Sequence, residues 1–139
     1  MKKFEFIEGA TADVLFKAYG ENLSKAFENS AIAFFEVITD TRKVKPLIEF
    51  NFTKKSQDLL SLLYDFLEEL LYIHKTKQVL LSKFKVVVNS KDFSLKAVAY
   101  GEAIKKTHEL RHDIKAITYS RMSIKKTRTG YVIEAVPDI

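Results

Sequence analysis

The chain has 139 residues, which suits one domain and leaves no room for two of ordinary size. Hydrophobic residues make up 47% of it, with eleven Phe and six Tyr, so a disordered chain is excluded; no apolar run approaches the ~20 residues of a membrane-spanning helix. There is no cysteine, which removes disulfides, thiolate zinc sites and cysteine nucleophiles together, while a formal net charge of +5 suits an acidic partner or a nucleic acid.

Glu5 and Glu8 interrupt the apolar run that a secretory signal requires, so a cytoplasmic protein is expected. Phe4 and Phe6 alternate with Lys3 and Glu5, and Val14, Phe16 and Ala18 alternate with Leu15, Lys17 and Tyr19. With the turn-forming stretch 8–12 between them, these pieces predict a hairpin. Leu23, Ala26, Phe27, Ala31, Phe34, Val37 and Ile38 recur at helical spacing, and Asn22 can cap the helix they define, from about 22 to 38. Ile48 to Phe52 alternates as a strand. A second apolar stripe, Leu59 to Leu71, predicts a helix from near Ser56 to about His74, with His74, Lys75 and Lys77 suiting its negative end. Phe84, Val86 and Val88 then alternate with lysines, the polar turn 89–92 reverses the chain, and Phe93, Leu95, Ala97 and Ala99 return. A long strand is expected from about Asp113 to Lys126, with Lys115, Arg121 and Lys125 on one face, before a last strand from Tyr131 to Val136.

The resulting order is ββαβαββββ over a single domain, 1–139. Amphipathic helices beside one-sided strands imply an α+β fold in two layers, with both helices on one face of a largely antiparallel sheet.

Few residues offer chemistry. The three histidines, His74, His108 and His112, read as surface residues, since the i, i+4 spacing of the last two falls in a probable loop. The four glycines are isolated, so no phosphate loop exists, and no nucleophile constellation emerges from spacing. Between Lys105 and Arg128 eight bases face only Glu109 and Asp113; the tract serves either as an RNA or phosphate surface or as a solvated strand face. Asp13 opens a strand and Asp138 is penultimate, beside the terminal carboxylate of Ile139. These carboxylates would form a hard-oxygen cluster suited to Ca²⁺ or Mg²⁺, with a frayed terminus as the alternative.

Thr11-Ala12-Asp13-Val14 with Ala18-Tyr19-Gly20 resembles the opening signature of the archease family. Phe27 to Ala31, Glu69 to Tyr72, Val98 to Glu102, His108-Glu109-Leu110, Ile114 to Tyr119 and the terminal Asp138-Ile139 follow in the family's order across the whole chain. The resemblance implies a protein that is not itself an enzyme but activates the RtcB-type RNA ligase of tRNA splicing, promoting its guanylylation and multiple turnover. It further implies a divalent cation, calcium first with magnesium or manganese as alternatives, held by Asp13, Asp138 and Ile139. Lys115, in the matching Lys-Ala-Ile-Thr-Tyr segment, is the candidate contact to a phosphate or an acidic ligase residue. The chain departs from many relatives at Ala10 and Ser120, where they carry histidine, and it has Lys75 where an aspartate is common. The resemblance also implies, as an alternative, a chaperone or specificity modulator of a tRNA methyltransferase; the residues alone leave open a basic tRNA-binding module and a metal-dependent phosphohydrolase using Asp13 and Asp138.

Overall fold

The computed structural model describes residues 2–7 and 14–139; the turn expected at 8–12 and Asp13 lie outside the described residues. In chain order the elements are β1 (Phe4–Phe6), β2 (Phe16–Gly20), α1 (Leu23–Ile38), β3 (Ile48–Lys55), α2 (Leu59–Lys77), β4 (Val79–Asn89), β5 (Ser94–Ala103), β6 (Ser123–Lys126) and β7 (Tyr131–Ala135). The α+β class and the order ββαβαββββ are those read from the sequence. The strands, however, form two antiparallel sheets rather than one, ordered β1-β2-β7-β6 and β3-β5-β4.

Helix α1 explains the division. Asn22 caps it by accepting a 2.9 Å hydrogen bond from the Lys25 amide. Nine of its sixteen residues are buried, more than a one-faced helix can hide. It packs on β2 and β7 of the first sheet and on β4 of the second. Phe35 stacks on Phe84 of β4, with ring centroids 5.9 Å apart, and Phe27 meets Phe66 of α2 at 5.6 Å. The helix also closes the free edge of β4: the Val86 amide donates to Glu28 (2.8 Å) and the Val88 amide to Ser24 (3.0 Å). No further strand can add where these side chains sit.

Helix α2 begins at Leu59, a turn later than Ser56, because Asp58 and Ser61 form a capping box. It runs past His74 to Lys77 and ends on Gln78, in the left-handed region at φ 53°. Strand β4 starts before Lys83, at Val79. Val79, Leu80 and Leu81 are all buried and show no alternation; a bulge after Leu81 restores it by turning Lys83 and Lys85 outward.

The long strand expected over 113–126 is replaced by an irregular strap, and only Ser123–Lys126 is strand. Its buried residues are Ile114, Ile117 and Met122, at spacings of three and five rather than two. Arg121 adopts φ 62°, and the Met122 amide closes a turn onto the Tyr119 carbonyl at 3.0 Å. Tyr119 fixes the strap to α2 by stacking on Tyr64 at 4.3 Å. Among the described residues no helix is long and apolar enough to cross a membrane.

Gly20 ends β2 where α1 approaches most closely, and a Cβ there would overlap the backbone of Ala26. Gly20→Ala should therefore lower the urea-unfolding free energy by about 1–3 kcal/mol, the range of an overpacked core; an unchanged midpoint would show that α1 is free to shift.

Candidate metal rim at the C terminus

Strands β2 and β7 pair in antiparallel register from Phe16↔Ala135 to Gly20↔Tyr131. The chain entering β2 and the chain leaving β7 therefore meet at one end of the sheet. On the entering side Val14 and Leu15 are buried, and the Leu15 carbonyl accepts from the Ile7 amide at 2.9 Å. On the leaving side Pro137 is buried and Ile139 packs against the core, while Asp138 is exposed.

The terminal dipeptide is pinned, not frayed. The Asp138 amide donates to Ala116 (3.0 Å) and its carbonyl accepts from the Lys115 amide (2.7 Å), an isolated antiparallel bridge. Of the expected site residues, Asp138, Ile139 and Lys115 are thus brought together by backbone pairing, and the Lys115 side chain is exposed. Asp13 lies outside the described residues. Among the described residues no three His, Cys, Asp or Glu side chains cluster closely enough to hold a metal. What the described rim offers is chemically simple: the Asp138 carboxylate and the backbone oxygen of Ile139, donors that fit a hard cation and not a thiophilic one.

The histidines correct the surface reading. His74 and His108 are buried, and only His112 is exposed. His74 Nδ1 lies 2.7 Å from the Val79 carbonyl and so donates to it; its ring meets Phe35 edge-on at 5.8 Å. Burial pushes its pKa down. His108 Nδ1 accepts from the Lys105 amide (2.9 Å), which places the ring proton on Nε2, donating to Glu102 at 3.1 Å.

Glu102 is the residue that sequence spacing did not single out. It is 3% exposed, and its Oε2 accepts from the Lys45 amide (2.7 Å) as well as from His108. Its Oε1 lies 3.2 Å from Lys105 Nζ, outside hydrogen-bond geometry, so this oxygen is held by charge alone. The Lys45 amide first, then His108 and Lys105, hold its carboxyl at about 2 against burial. The one signal in the sequence was a carboxylate following the uncharged stretch Ala97 to Gly101 of β5. This latch joins two family-like segments, Val98 to Glu102 and His108 to Leu110, and fastens the strap's beginning. Arg111 fastens the next part: its amide donates to Ile38 (2.7 Å), and its guanidinium pairs with Glu36 (3.0 Å) and Glu109.

The basic tract also changes meaning. Lys105 pairs with Glu102, Arg111 with Glu36 and Glu109, and Arg121 reaches Glu134 at 3.9 Å. No continuous strand aligns the remainder, so Lys115, Arg121 and Lys125 do not share the face expected of them.

Because the folded Glu102 sits at about 2 rather than 4.5, the unfolded chain binds more protons between those values. Its contribution is complete above about 4.5 and is lost as the pH falls toward 2. His74 acts in the same direction, its contribution complete above 6.5 and lost below as the pH falls. Glu102→Gln should cost about 1–3 kcal/mol at pH 7, and its stability should vary less than wild type between about pH 5 and 2. Parallel denaturation curves for the two proteins across that range would remove the latch.

The archease protein family matches residues 4–139 of the chain. The chain is 49% identical over 126 residues to "Protein archease" of Methanothermobacter thermautotrophicus, covering 89% of each, and 46% identical over 140 residues to that of Saccharolobus islandicus, covering all of both. The solution structure of Methanobacterium thermoautotrophicum protein 1598 superposes with a TM-score of 0.87 at 45% identity over the full length of both chains.

Proposed function

The chain belongs to the archease family, and on that premise we propose that it activates an RtcB-type RNA ligase in tRNA splicing through a cation-bearing carboxylate rim. In this reading it promotes guanylylation of the ligase and its repeated turnover, and does not join RNA ends itself. Asp13, Asp138 and Ile139 hold a divalent cation, calcium first, with magnesium or manganese as substitutes.

The observation that carries the reading is the β2–β7 register. Asp13 stands three residues before Phe16 and Asp138 three residues after Ala135, and those two residues are paired. The chain entering β2 and the chain leaving β7 thus depart from the sheet at the same place. Carboxylates gathered there would repel one another, and a bound cation offsets that repulsion. The chain's own residues do the positioning. The amides and carbonyls of the bridge hold Asp138, the buried Pro137 and packed Ile139 fix the terminus, and the strap offers Lys115 beside it. Lys115 is assigned to contact a ligase carboxylate or a nucleotide phosphate, a task suited to a point charge on a flexible stem.

Added to a cognate ligase, wild type should stimulate guanylylation and multiple-turnover ligation, and Asp13→Ala or Asp138→Ala should lower that stimulation at least tenfold. Calcium should raise the melting temperature of wild type and leave that of the variants unmoved. Full stimulation by both variants would contradict the rim.

A further inference from the structure

The second sheet has two unlike faces. Toward α2 and α1 it presents Phe50, Phe52, Phe84, Val86, Leu95 and Ala97, whereas among the described residues neither α-helix covers the other face. Directly opposed residues on that outer face form rows fixed by the register: Glu49–Tyr100–Lys83, Asn51–Val98–Lys85, Thr53–Lys96–Val87 and Lys55–Ser94–Asn89. In these rows four lysines, Lys55, Lys83, Lys85 and Lys96, stand with one carboxylate, Glu49, and all four are exposed; Glu102, next on this side of β5, is buried and held by Lys45 and His108.

Such a face is unusual for a surface built only to be wet. Exposed sheet faces gain from opposite charges set across strands, and like charges placed together destabilise. Here Lys83 and Lys85 follow each other on one strand with Lys96 on the next. Among the described residues none of the four lies within 4.0 Å of a carboxylate, in contrast to Lys105, Arg111 and Arg121 of the strap. Apolar surface lies between the charges: Val87 is 68% exposed, and the half-buried Tyr100 ring carries Lys83 Nζ 5.5 Å from its centroid. The bulge at Ser82 is what turns Lys83 and Lys85 outward, so this polarity is built into the sheet.

We propose that the outer face of β3-β5-β4 binds single-stranded RNA. Lysines two residues apart along a strand stand about 6.8 Å from each other, and neighbouring strands about 4.8 Å. That grid lets the ammonium groups follow a phosphate backbone while Tyr100 and Val87 take up sugar and base surface, the arrangement of single-strand platforms. The proposal does not depend on the metal rim, which uses different residues at the end of the other sheet.

The test is fluorescence anisotropy of a labelled fifteen-nucleotide unstructured RNA with the full chain, at several salt concentrations. Substituting Lys83→Gln, Lys85→Gln and Lys96→Gln together should weaken binding at least tenfold at low salt. It should also reduce the slope of log affinity against log salt by about 2, three contacts at ~0.7 each. The same positions changed to Arg should retain binding, and Lys125→Gln with Lys126→Gln should change it less than twofold. The proposal is overturned if wild type does not bind, if the triple variant keeps the wild-type affinity and slope, or if poly-glutamate displaces the RNA at equal charge. The last result would mark the face as a site for an acidic protein. Ligase stimulation by the folded triple variant, measured in parallel, keeps this outcome separate from that of the rim.

Discussion

Two sheets share α1 as their common support, and the contact between this helix and both of them sets the rest of the architecture. Ala26 abuts Gly20 at the end of β2, Phe35 stacks on Phe84 of β4, and Ser24 and Glu28 occupy the hydrogen-bonding edge of β4. Phe27, Phe34 and Phe35 are fully buried, each contributing on the order of 1.5–3 kcal/mol of hydrophobic stabilisation. Were α1 one-faced, a single sheet would suffice to cover it. Since it is not, the strands that follow must divide, and β7 returns to pair with β2 on the side opposite β4.

The strap between β5 and β6 follows from the same constraint. The C-terminal end of α1 is sealed by chain rather than by a third helix: Thr39 donates to the Glu109 carbonyl, Arg111 donates to Ile38, and Arg111 pairs with Glu36. Glu102 and His108 hold the strap's first turn. From there the chain reaches Lys115 and Ala116, where it meets the C terminus. Polar groups that spacing did not single out thus carry the strap to the rim, where backbone hydrogen bonds place Lys115 and Asp138.

The helices and most strands were legible because their apolar periods are strong and their caps conform: Asn22 does cap α1, and the Phe4 and Phe16 segments do pair. The second sheet was not, because a stripe such as Leu23 to Ile38 does not reveal that Ala33 and Phe35, off the stripe, are also buried. The strap was misread as a strand because Ile114 and Ala116 look alternating, whereas Ile117 is the residue that goes inside. His108 was taken for a surface group because its partner, Glu102, precedes it by six residues, a separation with no periodic signature. The family signature singled out the terminal residues as candidates, and the β2–β7 register brings the chain entering β2 to the same end of the sheet as the chain leaving β7.

The proposed cation would sit where the chain enters β2 and leaves β7. The most direct test is an NMR titration of the ¹⁵N-labelled protein with substoichiometric Mn²⁺, reading paramagnetic broadening amide by amide. A cation at the proposed rim should give early broadening confined to Val14, Leu15, Lys115, Ala116, Asp138 and Ile139, reversed by excess calcium. Broadening that begins elsewhere, or none at these amides, would contradict it.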